Sequence, residues 1–176
     1  MALTAVRRRA ARRYMAGPEL GDALRREEEL RDRGLKTVVG YWNAAGEDPD
    51  AVEATYGAAL DALAGRQGVQ LACKLPAVSL DPRRIDEISE RARHAAVPLH
   101  FDSLGHKDAS SLLEAARSAG AGATLPGRWA RSAADAESLA STDLPLRVIK
   151  GEWPDPTAPG RDPRFSGAPG VQVVLD

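Results

Sequence analysis

The 176-residue chain is 43% hydrophobic and carries a formal net charge of −1, enough apolar material for one sizeable core and no overall field to draw in a polyanion. That balance argues against nucleic acid as a partner, and Cys73, the single cysteine, excludes an intramolecular disulfide and a multi-cysteine metal site. No stretch approaches the roughly 20 uninterrupted apolar residues of a membrane-spanning helix, and the start lacks the apolar run of a secretory signal, so a reducing, cytoplasmic setting is expected.

Residues 6–15 hold five arginines and no acid. On a helix, Val6, Ala10 and Tyr14 share one side and the arginines form a solvated face, with contact to anionic lipid or a transit-peptide role as the alternative. Gly17-Pro18 breaks that helix. Leu20, Ala23, Leu24 and Leu30 then predict a second helix over 18–33, stopped by Gly34. The β-branched and aromatic run 37–41 reads as a strand, and Asp48-Pro49 suits the N-cap and first turn of a helix ending near Gly65.

The same grammar repeats. Residues 69–74 predict a second strand, followed by Asp81-Pro82 and a helix through Ile85, Ile88 and Ala92 to about Ala95. Residues 98–102 predict a third strand, after which Asp108 caps a helix ending at Gly120. A short fourth strand at 123–125 precedes Ser132-Ala133-Ala134-Asp135, which has the form of a capping box, and 146–150 make a fifth strand. Residues 171–175 are a sixth candidate. Strands separated by helices pair in parallel through right-handed crossovers, giving either an open doubly wound sheet or part of a barrel. The Pro/Gly-rich stretch 154–170 forbids the next crossover helix, and an intact eight-unit barrel needs about 250 residues. The expectation is one incomplete domain over 1–176, with N-terminal helices over 1–33.

In parallel α/β folds, functional groups gather at the carboxyl ends of strands. Those ends carry Lys74, Asp102, Thr124 to Arg128, and Arg147 with Lys150, Gly151 and Trp153. Alternation sets Leu71 and Cys73 opposite Ala72 and Lys74, and Leu99 and Phe101 opposite His100 and Asp102. Lys74 and Asp102 are therefore expected to project from one face as a pair, either in a solvated ion pair or in a site.

Other chemistries lack their signatures. Gly120-Ala121-Gly122 follows a helix and lacks the third glycine of a dinucleotide fingerprint, and neither a phosphate loop nor a nucleophile elbow occurs. His94, His100 and His106 are spaced by six, which neither a helix nor a strand turns into a metal-ligand pair, so no metal site is expected.

The segment Leu146-Arg147-Val148-Ile149-Lys150-Gly151-Glu152-Trp153 resembles the fifth-strand signature of the proline dehydrogenases. Ala72-Cys73-Lys74-Leu75-Pro76-Ala77, His100-Phe101-Asp102 and Ala123-Thr124-Leu125-Pro126-Gly127-Arg128 are similar to that family's second, third and fourth strand segments, in the same order. The resemblance implies a partial (β/α)8 TIM-type barrel with sequential parallel strands and an N-terminal helical segment. It also implies FAD-dependent oxidation of L-proline to 1-pyrroline-5-carboxylate, with electrons passing to a quinone at a membrane surface. Thr124, Pro126, Arg147, Lys150 and Gly151 would hold the flavin, while Lys74, paired with Asp102, and Trp153 would close on the substrate. Pro126 stands where many members have glutamine and Trp153 where many have tyrosine.

The family's paired arginines that bind the proline carboxylate have no counterpart before Asp176. The alternative reading is a truncated, catalytically impaired homologue with a non-enzymatic or partner-binding role. Open sheet edges would then favour self-association. A third reading makes Lys74 or Lys150 a Schiff-base lysine, since a desolvated lysine at a strand end can be nucleophilic.

Overall fold

The computed structural model describes residues 15–102, 105–151 and 153–158. The basic stretch 6–14, the sixth strand candidate at 171–175 and most of the Pro/Gly-rich segment lie outside them. The elements run α1 (Leu20–Arg31), β1 (Thr37–Gly40), α2 (Pro49–Leu63), β2 (Val69–Cys73), α3 (Pro82–Ala95), β3 (Leu99–Phe101), α4 (Ala109–Ala119), β4 (Gly122–Pro126), α5 (Ser132–Leu139) and β5 (Leu146–Ile149). All five strands are parallel, in the order β1-β2-β3-β4-β5. A doubly wound sheet would reverse direction at its first strand. The sequential order instead curls the sheet into a partial barrel, helices packed on its outer face.

Local chemistry explains the starts of α2 and α3. Asp48 and Asp81 accept the N–H groups of Asp50 and Arg83, each at 3.0 Å, with Pro49 and Pro82 at the first helical positions where no N–H is needed. Two expected caps are different. Asp108 makes no side-chain cap, because the turn His106–Asp108 already leads into α4 in helical conformation. Ser132 lies inside α5, its hydroxyl donating to Pro126 O at 2.6 Å, and Asp135 pairs with Arg131 at 2.8 Å, so the Ser132–Asp135 capping box does not form. Helix α1 is also shorter than expected, starting after Glu19.

The core fills the space between the outer sheet face and the helices. Val52, Tyr56, Leu60 and Leu63 from α2, Ile85 and Ile88 from α3, and Leu112, Leu113 and Ala116 from α4 enclose Leu71, Cys73, Phe101 and Leu125. Burial of such side chains is the main favourable term of the fold, about 1.5–3 kcal/mol for each large one. Helices α2 and α3 are further tied by Arg84, which meets Glu53 at 2.6 Å and also pairs with Asp50. Glu27 of α1 is buried and held by Arg66 at 2.5 Å and Arg31 at 3.3 Å, so its charge is compensated on both oxygens. Among the described residues, no helix is long and apolar enough to cross a membrane.

Candidate functional site

Parallel register determines which side chains share a level on the inner face. Gly40 aligns with Ala72, Ala72 with His100, and His100 with Gly122, which defines one row across β1 to β4. Two residues further toward the carboxyl ends, the same register brings Trp42, Lys74, Asp102 and Thr124 into a second row, completed by Arg147, the partner of Thr124 on β5. Lys74, Asp102, Thr124 and Arg147 thus belong to one layer at the mouth.

The lower row is shaped for one ring. An added Cβ at Gly122 would come within 2.4 Å of His100 Nδ1 and 2.9 Å of Pro145 O, so only glycine admits the imidazole there. His100 is buried, and its Nε2 reaches up to Thr124 Oγ1 at 2.9 Å. Burial, reinforced by the nearby Arg147 charge, pushes its pKa down to about 4, so the ring is neutral near pH 7.

The upper row is an ion pair bridged by a hydroxyl. Arg147 pairs directly with Asp102, and its Nε and Nη2 donate to Thr124 Oγ1 at 3.2 and 3.0 Å. Thr124 Oγ1 also lies 3.2 Å from Asp102 Oδ1. The hydroxyl has one proton to give, and neutral His100 and Asp102 both stand ready to accept it. Arg147 remains 37% exposed, and partial burial lowers its pKa from the usual arginine range. The half-buried guanidinium therefore gains from an anion at this spot, a place Asp102 now fills.

Lys74 departs from the sequence expectation. Its backbone N–H is fixed by Tyr56 Oη at 2.9 Å, but its Nζ lies over the Trp42 ring, 4.6 Å from the centroid. No carboxylate among the described residues pairs with it. The expected Lys74–Asp102 pair is thus replaced by a cation–π contact on one side and an Asp102–Arg147 pair on the other. Burial lowers the Lys74 pKa below the ordinary lysine value.

Above the row, the loops after β4 and β5 join. Gly127 and Arg128 donate backbone N–H to Ile149 O and Lys150 O at 2.7 and 3.2 Å, and Arg128 Nη1 reaches Gly151 O at 3.2 Å. Gly151 has a φ of +91° and sits against Pro126, where a Cβ would come within 2.8 Å. Pro126 is buried. Lys150 is exposed, and so is Trp153, whose carbonyl accepts the Trp129 indole N–H at 3.0 Å. Asp102, Thr124 and Arg147 are therefore in mutual contact, while Lys74 joins them by register alone. Lys150 and Trp153 stand outside that network. A hollow of about 220 Å³ lies at the opposite, amino ends of β3 and β4, beside Ser89, Val97 and Gly120, away from all of these groups.

No protein-family model matches the chain, and no curated protein matches it. Among solved structures it is similar to proline utilization A (PutA) from Bdellovibrio bacteriovorus, inactivated by N-propargylglycine. The likeness has a TM-score of 0.60 at 16% sequence identity over 78% of this chain, and it spans 20% of that protein. At such identity it shows the fold alone: a curled parallel α/β sheet.

Trp42 and Asp155 did not stand out in the sequence. Trp42 follows Gly40 by two residues, so alternation alone places it on the inner face once the strand is known. Asp155 sits in Pro154-Asp155-Pro156-Thr157, a pattern in which an aspartate accepts the N–H two residues on, as Thr157 N–H does here at 2.7 Å.

Proposed function

We propose that the strand-end row belongs to a flavin-dependent oxidoreductase site of the proline dehydrogenase type, acting on L-proline to give 1-pyrroline-5-carboxylate. The observation that carries this reading is the single layer of Lys74, Asp102, Thr124 and Arg147 at the mouth, with Lys150 three residues beyond Arg147. The proline dehydrogenase-like motifs and the structural likeness to a protein of proline utilization support it.

The residues present suit a flat, electron-rich, anionic group. Arg147 is a half-buried cation whose desolvation is relieved by a negative neighbour, and Thr124 offers a hydroxyl beside it. Lys150 is an exposed cation suited to a phosphate, while Gly151 packs closely on Pro126 beside it. Flavin, when bound, supplies the two-electron acceptor chemistry. Arg147 would hold its electron-rich edge and stabilise negative charge there. Asp102, released from Arg147, would become free to meet a cationic amine, and Lys74 would meet a carboxylate after leaving Trp42. Trp153 would cover the substrate. A quinone at a membrane surface would be the final acceptor, in a cytoplasmic protein bound peripherally.

The Asp102–Arg147 pair also favours a second reading, because it neutralises the cation a flavin needs. In that case the chain is a non-catalytic homologue that binds partners, self-association running through the edges of β1 and β5. Purified chain incubated with FAD decides between them. The enzyme reading expects bound flavin absorbance and dye reduction on addition of L-proline. It also expects Arg147→Met to weaken flavin binding at least tenfold, about 1.4 kcal/mol. Colourless, dye-inactive protein would support the second reading.

A further inference from the structure

The segment after β5 carries a buried acid that no part of the proposed chemistry uses. Asp155 is 3% exposed. Its Oδ2 accepts Ala130 N–H at 2.6 Å, and its Oδ1 accepts both the N–H and the hydroxyl of Thr157 at 2.7 Å. His106 Nε2 stands 3.6 Å from Oδ1. These contacts come from three places in the chain: His106 follows β3, Ala130 lies between β4 and α5, and Thr157 belongs to the segment after β5. Trp129 completes the junction. Its ring meets His106 edge-on at 5.2 Å, and its indole N–H donates to Trp153 O at 3.0 Å.

A carboxylate shut away from water is costly unless each oxygen is answered, and here both are. Burial alone would raise the Asp155 pKa, but the Ala130 and Thr157 donors, helped by His106, outweigh it and hold the pKa at about 2. The group is therefore an anion throughout the ordinary pH range. It sits where the connections leaving three consecutive strands meet, at the carboxyl end of the sheet.

We propose that Asp155 is a positioning residue that clasps the connections after β3, β4 and β5 into one rim, so that Lys150, Gly151 and Trp153 are held over the mouth for a bound flavin. The proposal rests on the flavin reading above and adds a residue that touches neither the flavin nor the substrate. Asparagine is nearly the same shape, but whichever way its amide turns, an NH2 faces either Ala130 N–H or the Thr157 donors. Asp155→Asn thus breaks the clasp without emptying the space.

Two measurements on the full chain test this: hydrogen exchange at Ala130 and the dissociation constant for FAD. In Asp155→Asn, exchange at Ala130 is expected to quicken at least tenfold and FAD to bind at least tenfold more weakly, with exchange in β2 and α2 unchanged. Unaltered exchange at Ala130 overturns the clasp, and quickened exchange with unaltered FAD affinity overturns its positioning role. Thr157→Val removes one donor and leaves the acid, so it serves where Asp155→Asn does not fold. It is expected to weaken FAD about threefold, and an unchanged constant overturns the proposal. Wild-type chain that binds no FAD marks failure of the flavin reading itself, before any variant is made.

Discussion

On the outer face of the sheet, Leu71, Cys73, Phe101 and Leu125 are shut beneath helices by apolar packing that needs only volume and shape. On the inner face of the same sheet, His100, Asp102, Thr124 and Arg147 meet one another through directional polar contacts, and Arg147 stays partly open to water. Phe101 alternates with His100 and Asp102 along one strand, and Leu125 with Thr124 along the next. The two faces therefore divide the labour of one backbone: the outer holds the strands in place, and the inner displays polar groups at heights that the register sets. A substitution on the outer face should act on stability, and one on the inner face on ionisation and binding.

The strongest way to break this division is Phe101→Ala. The ring is fully buried between sheet and helices, so its loss removes a large apolar area and leaves a cavity, with an expected cost of about 3–5 kcal/mol. Denaturant unfolding followed by circular dichroism measures it. A loss below about 1 kcal/mol would mean that the outer face is not the stabilising one.

The inner face should respond to pH instead. Above about pH 7.5 the His100 ring is neutral in both the folded and the unfolded chain. As the pH falls toward 4, the unfolded chain takes up a proton that the folded one refuses, because burial and Arg147 hold the ring's pKa near 4. The unfolded state then binds more protons, and stability falls by about 2–3 kcal/mol between pH 7.5 and 4.5. His100→Gln should flatten that part of the profile. Equal slopes in the two proteins over this interval would show that His100 is not the group responsible.

The difference between the faces also explains what could be read from the residues alone. Alternation in 69–74 and 98–102 separates the apolar residues from Lys74 and Asp102 without any knowledge of neighbours, and Asp48-Pro49 and Asp81-Pro82 start helices by contacts within a few residues. Contacts between distant segments were not legible. Ser132 has the chemistry of a cap, but Pro126 O takes its hydroxyl, and Asp102 has the chemistry of a lysine partner, but the β5 arginine reaches it first. Sharing a row is a property of the backbone. Choosing a partner within the row depends on which side chains are long enough and what else competes for them.

That competition is sharpest at Lys74, where the smallest effect should be seen. Register allows its amine to approach Asp102 on one side or Trp42 on the other, and it lies over the indole. A cation–π contact with an exposed ring contributes about 0.5–1 kcal/mol, and Trp42 is 74% exposed. A double-mutant cycle of Trp42→Ala and Lys74→Met, followed by denaturant unfolding, should give a coupling energy of that size. The matching cycle of Lys74→Met and Asp102→Asn should give a coupling near zero in the free protein, because Asp102 is engaged by Arg147 and Thr124. The two cycles share one lysine variant, so errors in the unfolded reference largely cancel between them. A Lys74–Asp102 coupling larger than that of Lys74–Trp42 would restore the pairing read from the strand ends and make the cation–π contact incidental.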